Sequence, residues 1–317
     1  MLAAAFLSYF GNVLALAFSA IGVGIGQGLA AEGVLEGQAR QTMGGEQSFR
    51  TFVIGLALTE SGAILALVVV LTSLVNIQFP ISLGSGLADL GAGLAIGIAA
   101  GVVGVASSLA VRHACLSISR QPLFTQKITT FMLLIQSIVE APVIFAFIIA
   151  LILKATVNDN LSVVDGIRYF SGGLVIALGC IGPAIGQAIF VSSACKSVGL
   201  NKSAYNKIFP FSMLSEAIIE TPVIFSFVIS FLLIYHSSSN SPMMASLASF
   251  GAAIAMGVGA IGTGISTGNV AASGCRSIAE RPHSYGSVLR NSLVSQAIIE
   301  SAAIYSLIVA LFLVFSF

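Results

Sequence analysis

The sequence repeats itself every 80 residues, four times over. A shift of 80 places Glu60, Glu140, Glu220 and Glu300 in register, in the contexts LTESGAIL, IVEAPVIF, IIETPVIF and IIESAAIY. The same shift aligns Gly24, Gly104, Ala184 and Gly264, with no gap between the landmarks. In a chain of 317 residues this leaves almost nothing outside the repeat. The units run over 1–80, 81–160, 161–240 and 241–317. An array of this kind folds as one supersecondary unit stacked on copies of itself.

Each unit holds two long apolar stretches, in the first unit at about 4–35 and 49–74. Both exceed the roughly 20 residues that cross a bilayer as a helix. Composition agrees. Hydrophobic residues make up 57% of the chain and charged residues 8%, too few charges to cover a surface in water. A soluble enzyme, a nucleic-acid-binding domain and a disordered linker are excluded. The strand alternation of a barrel is missing, so the spans are helices. The expected fold is an all-α membrane protein with eight transmembrane helices in four tandem helical hairpins. Met1 to Phe10 has no basic leader region and reads as the start of a mature helix rather than a removed signal.

Of the 13 Lys and Arg residues, 11 lie in the loops inside the hairpins or on their flanks. The connections between hairpins are expected to hold only Lys154 and Arg168, beside Asp89, Asp159 and Asp165. Basic loops mark the cytoplasmic side, which puts both termini on the other side. Two spans per unit give every hairpin one orientation, unlike the inverted repeats of many transporters.

The first helix of each hairpin tends to small residues at every second position: Gly22, Gly24, Gly26 and Gly28 in the first unit, Gly182, Ala184, Gly186 and Ala188 in the third, Gly262, Gly264, Ser266 and Gly268 in the fourth, and more weakly Val102, Gly104, Ala106 and Ser108 in the second. Positions 22 and 26 share one face, and 24 and 28 another. Two smooth faces allow neighbours on both sides. The second helix carries the acid, about a dozen residues in and near the bilayer centre. An ionisable group there costs about 2.5–3.5 kcal/mol on insertion scales. Four at one depth point to function. A carboxyl in a low-dielectric site holds its proton and releases it beside a fixed cation or water. A group moving between those settings carries a proton, or another small cation, across the membrane.

With its glycine-rich first helix, polar loop and single acid in the second helix, the chain resembles the c subunit (proteolipid) of rotary F-type ATP synthases. The likeness covers nearly the whole chain, with four hairpins fused. The loop is Arg120-Gln121-Pro122 in the second unit, Arg40-Gln41-Thr42 in the first and Glu280-Arg281-Pro282 in the fourth; Leu200-Asn201-Lys202 in the third departs from the pattern. The resemblance implies a ring of hairpins formed with other copies of the chain. First helices stand inside and the acids near the outer surface, in lipid. A stator a subunit presents an arginine to each carboxylate, and central stalk subunits sit on the cytoplasmic loops. It implies no catalysis and no cofactor within this chain, no nucleic-acid partner, and an inner membrane of bacterial type or an equivalent energy-coupling membrane. No phosphate-binding loop motif is present. Family ring sizes favour three chains and 12 sites, with 8 or 16 as alternatives.

In sodium-type relatives a first-helix glutamine and a hydroxyl after the acid help hold the ion. The matching residues are Gln27 and Ser61 beside Glu60, Gln187 and Thr221 beside Glu220, and Thr267, Ser301 and Tyr305 beside Glu300; the second unit has Ser107 and Ala141. Family sites also borrow groups from the adjacent hairpin, so Ala141 weakens one site. Pro142 and Pro222 free the carbonyls of Ile138 and Ile218, which either serve as ligands or mark a plain kink. A desolvated sodium ion needs several oxygens, a proton only the carboxyl and one acceptor. The second unit therefore favours H+, with Na+ at the same sites as the alternative. No other metal site is expected. A V-type proteolipid and a proton-coupled secondary transporter are the competing classes. An acid in all four units and the Arg-Gln-Pro turn favour the F-type.

Four features stand outside this scheme. Glu216 lies one turn before Glu220 and either shares its proton or lines a polar patch; the cost of ionising two neighbouring carboxylates favours the patch. Gln136, Gln296 and Leu56 occupy the equivalent position. Glu32 and Arg112 either pair across the inner helices or snorkel separately. Cys115, Cys195 and Cys275 are in register and read as small packing residues.

Overall fold

The structure, a computed structural model, describes residues 2–41, 43–76, 81–157, 161–236 and 242–316. Met1, Thr42, Asp159 and the unit boundaries near residues 80, 160 and 240 lie outside the described residues. Among those described there is no strand. Among the described residues, eight helical spans are long and apolar enough to cross a membrane.

The first helices of the four hairpins are α1 (Leu2–Arg40), α4 (Leu83–Arg120), α7 (Val163–Leu200) and α9 (Pro242–Glu280). The second spans are α2 and α3 (Gly45–Thr59, Ser61–Asn76), α5 and α6 (Thr125–Val139, Ala141–Thr156), α8 (Tyr205–Tyr235) and α10 (Tyr285–Phe315). They run past the apolar stretches because the charged and polar residues toward each loop stay helical. Thus α1 ends on Arg40, and Glu36 bonds Arg40 one turn away. In the first hairpin the reversal uses Gly44 at φ +94°, a conformation that favours glycine. In the others a short 3₁₀ turn follows Gln121, Asn201 or Arg281.

The second span is interrupted at Glu60 and at Glu140, but runs unbroken through Glu220 and Glu300. The interruption does not track proline. Pro222 lies inside continuous α8, whereas the break at Glu60 precedes Gly62, a weak helix former.

The first helices pack in chain order, α1 on α4, α4 on α7, α7 on α9, with the second spans in a layer outside them. Among the described residues α1 does not pack against α9, so the chain is an open arc. Backbone meets backbone along the inner layer. A Cβ on Gly22 would lie 2.0 Å from the Gly101 carbonyl oxygen, one on Gly173 2.2 Å from that of Gly91, and one on Gly186 2.1 Å from that of Gly264. No side chain fits there. Gly24 and Gly28 face open space, and so does Gly262. Each first helix thus has two smooth faces as expected, and at the arc's ends one of the two is uncovered.

The charges expected in the connections lie within helices. Lys154 is in α6, Asp89 in α4, and Asp165 and Arg168 in α7. Lys154 Nζ sits 2.5 Å from Asp89 Oδ1 and donates to Ser73 at 2.7 Å, while Ser8 bonds Asp89. Both ionic side chains are nearly buried, at 12% and 11% exposure, so the pair lies inside hairpin 2, with Ser73 and Ser8 tying it to hairpin 1, instead of marking a loop. Glu32 and Arg112 do pair, at 2.9 Å. The three aligned cysteines are fully buried and unbridged near the loop ends of their helices.

Removing one partner of a buried ion pair strands the other charge, at a cost of about 3–5 kcal/mol. Lys154→Met should therefore lower the unfolding midpoint of the purified protein, and Asp89→Leu with Lys154→Met should recover most of the loss. Equal midpoints for the single and double variants would contradict this reading of the cluster.

Candidate functional site

Glu60 lies 15 residues beyond Gly45 at the start of α2, or about 22 Å along the helix. The repeat sets the other three acids at the same depth on α5–α6, α8 and α10. Their surroundings differ, and the differences follow position in the arc. Glu140 and Glu220 belong to the two inner hairpins and are 7% and 9% exposed. Glu300 is half-buried and Glu60 exposed.

Two kinds of neighbour reach these carboxyls. One comes from the same hairpin. Gln27 Nε2 donates to Glu60 Oε1 at 2.7 Å, and Ser107 interacts with Glu140. The other comes from the hairpin before. Ser61 Oγ of hairpin 1 donates to Glu140 Oε2 of hairpin 2 at 3.3 Å, and Thr221 of hairpin 3 faces Glu300 of hairpin 4. The hydroxyls after Glu60 and Glu220 therefore serve the next hairpin rather than their own. By the same step Ala141 is the residue that faces the Glu220 site, and Ser301 faces out of the arc.

Other residues singled out in the sequence lie elsewhere. Gln187 is fully buried and faces Glu216 instead of Glu220. Thr267 turns back to the Thr263 carbonyl at 2.7 Å. Ser301 donates to the Ile298 carbonyl at 2.7 Å, the oxygen equivalent to those of Ile138 and Ile218. Tyr305 is 65% exposed on the outer layer.

The loop residues also divide. Gln121 Nε2 donates to the Gly199 carbonyl at 2.7 Å, and Asn201 Nδ2 to the Ala279 carbonyl at 2.9 Å. Asn201, the departure from the loop pattern, thus makes the same bond to the next hairpin as Gln121. Arg40, Gln41, Lys202 and Arg281 are exposed, and Pro122 and Pro282 are partly exposed.

Sequence reasoning missed the network one turn before Glu140. There Gln136 Nε2 donates to the Gly55 carbonyl at 2.7 Å, to Ser107 at 2.8 Å and to Thr59 at 3.2 Å. Two of these partners belong to hairpin 1. The signal lay in the repeat, because partners across hairpins sit 77 to 81 positions apart.

A fold of stacked membrane hairpins with one mid-span carboxyl each, completed by its neighbours, defines a repeat proteolipid. The family model for the ATP synthase C subunit matches the chain four times, at residues 10–72, 90–153, 170–233 and 250–313. The chain belongs to that family and carries four copies of its unit in tandem. Among similar proteins, the ATP synthase c subunit of Petrotoga mobilis is 43% identical over 65 residues, covering 20% of this chain and 68% of the relative. The ATP synthase c subunit of a Nostoc species is 39% identical over 75 residues, 24% of this chain and 93% of the relative. The chloroplastic ATP synthase c subunit of Ostreococcus tauri is 38% identical over 76 residues, with 24% and 93% covered.

If Ser61 serves Glu140, Ser61→Ala should speed carbodiimide labelling of Glu140 and leave Glu60 unchanged, as read by peptide mass spectrometry. A change at Glu60 alone would reverse the assignment.

Proposed function

We propose that the chain is an ion-translocating rotor component of a rotary ATP synthase, carrying H+ on Glu60, Glu140, Glu220 and Glu300. The observation that carries the proposal is the Ser61–Glu140 bond between hairpins. It makes each site a property of two neighbours, and it leaves Glu60, at the arc's free edge, needing a hairpin from outside the chain. The free edges are complementary. Gly24 and Gly28 on α1 stand in register with Gly264 and Gly268 on α9, which pack against α7. The face of α1 that covers α4 stands in register with the open Gly262 face of α9. Copies joined head to tail close a ring in which Ser301 of one copy faces Glu60 of the next.

Rotation then presents every carboxylate to the stator's arginine. Each gives up its proton in that polar setting and takes another before returning to lipid, where the neutral acid is favoured. The exposed loops, with Arg40, Gln41, Arg120, Gln121, Pro122, Asn201, Lys202, Arg281 and Pro282, carry the central stalk on the cytoplasmic side, and both termini lie opposite. The membrane is an energy-coupling one. Catalysis belongs to other subunits.

The proton assignment rests on the poorest site. Around Glu220 the first-helix amide is turned to Glu216 and the neighbouring position is Ala141. Neither position offers a desolvated sodium ion an oxygen to add to the carboxylate of Glu220 itself. Gln27 beside Glu60 favours Na+ in hairpin 1, but all four sites pass one stator and the weakest sets the ion.

Two results test this. Glu140→Gln should abolish ion-coupled ATP synthesis while the assembly still forms, because one neutral site blocks a full turn. Wild-type synthesis in that variant would contradict the rotor. Carbodiimide labelling of the four glutamates at fixed pH should be insensitive to millimolar sodium. Protection of all four would assign Na+ and leave the rotor intact.

A further inference from the structure

Hairpin 3 carries a carboxyl that its siblings lack. At the position of Leu56, Gln136 and Gln296 stands Glu216. It is fully buried, and neither carboxyl oxygen has a hydrogen-bond partner. Gln187, also fully buried, faces it from α7, and neither polar atom of its amide has a partner. Glu220 on the same helix and the thiols of Cys195 on α7 and Cys275 on α9 complete its titratable surroundings. Among the described residues no ion pair includes Glu216.

The siblings show what this position requires. Gln136 is satisfied by Ser107, Thr59 and the Gly55 carbonyl, and Gln296 donates to Ser215 and Ser292. In hairpin 3 the places of Ser107 and Thr59 are taken by Gln187 and Val139. Two long polar side chains therefore meet where a glutamine and two hydroxyls stand in hairpin 2. A carboxylate here would be a buried charge with no cation, which is costly. A carboxylic acid is the complement of a primary amide. Its O–H donates to Gln187 Oε1, and Gln187 Nε2–H donates to its carbonyl oxygen. One added proton lets each of the four unpartnered atoms find a partner in the other side chain.

We infer that Glu216 and Gln187 form a resident-proton site, separate from the four mid-span glutamates, whose proton stays in place as the rotor turns. This rests on the rotor reading above. The pair has no exposed surface, so neither solvent nor a passing cation reaches it. The site does not depend on which ion the rotor carries. It also accounts for the bare surroundings of Glu220, because the amide expected there is engaged one turn away.

Infrared spectra of the intact assembly in lipid, recorded over a pH series, test this. The wild-type minus Glu216→Gln difference should contain a protonated-carboxyl C=O band that persists at every pH at which the assembly is intact. The corresponding Glu220→Gln difference band should vanish as the pH rises. Glu216→Gln should also keep ATP synthesis at about the wild-type rate, since it restores the residue of hairpins 2 and 4. Should that variant not assemble, Gln187→Leu, which leaves the acid without its amide, should shift the same band to higher frequency. The inference is overturned if the Glu216 band is absent, if it fades in step with that of Glu220 as a shared proton would, if Gln187→Leu leaves it unmoved, or if an assembled Glu216→Gln rotor loses synthesis.

Discussion

The contact of bare backbone between first helices governs the rest of the molecule. Gly22 against Gly101, Gly91 against Gly173 and Gly186 against Gly264 bring the helices closer than any side chain would allow. Such an approach gains from dispersion and backbone contact where lipid offers no hydrophobic drive. It also restrains register, since a residue with a side chain at Gly22, Gly173 or Gly186 would run into the neighbouring backbone. With the inner layer fixed, the outer spans have one place each, and the hydroxyl after one acid comes to rest beside the next hairpin's carboxyl. The Ser61–Glu140 bond follows from packing that occurs a full helix away.

The repeat dictates equivalence of position and the sequence relaxes equivalence of surroundings. Glu60 has an amide from its own hairpin, Glu140 has hydroxyls from two hairpins, Glu300 has Thr221, and Glu220 has none of these. Four acids at one depth therefore start from four different local settings. A fused chain makes this stable, because each setting always has the same neighbours in the same order, which a ring of identical single hairpins cannot arrange.

Much of this was legible in the sequence because an 80-residue period converts one observation into four. The hairpins, their eight spans, the depth of the acids and the two smooth faces of the first helix all follow from periodicity and apolar length. What was not legible depends on where a flexible side chain turns. Gln187 matched Gln27 in spacing, yet it faces Glu216, because the acid one turn earlier competes for its amide. Thr267 matched too, yet it bonds its own helix. The Lys154–Asp89 pair read as loop charge because apolar length underestimates where a helix ends when its last turns carry paired ions. Asn201 read as a departure from the loop pattern that Gln121 keeps, yet both side chains make the same tie to the next hairpin.

The central claim is that the arc's two free edges are halves of one interface, so that chains close on each other with every acid between two hairpins. The mass of the intact isolated assembly tests it most directly. The account predicts a closed particle containing an integral number of whole chains, three by the expectation from ring size, and hence a number of hairpins divisible by four. A particle holding a single chain would contradict it, and so would a closed ring whose hairpins do not divide by four.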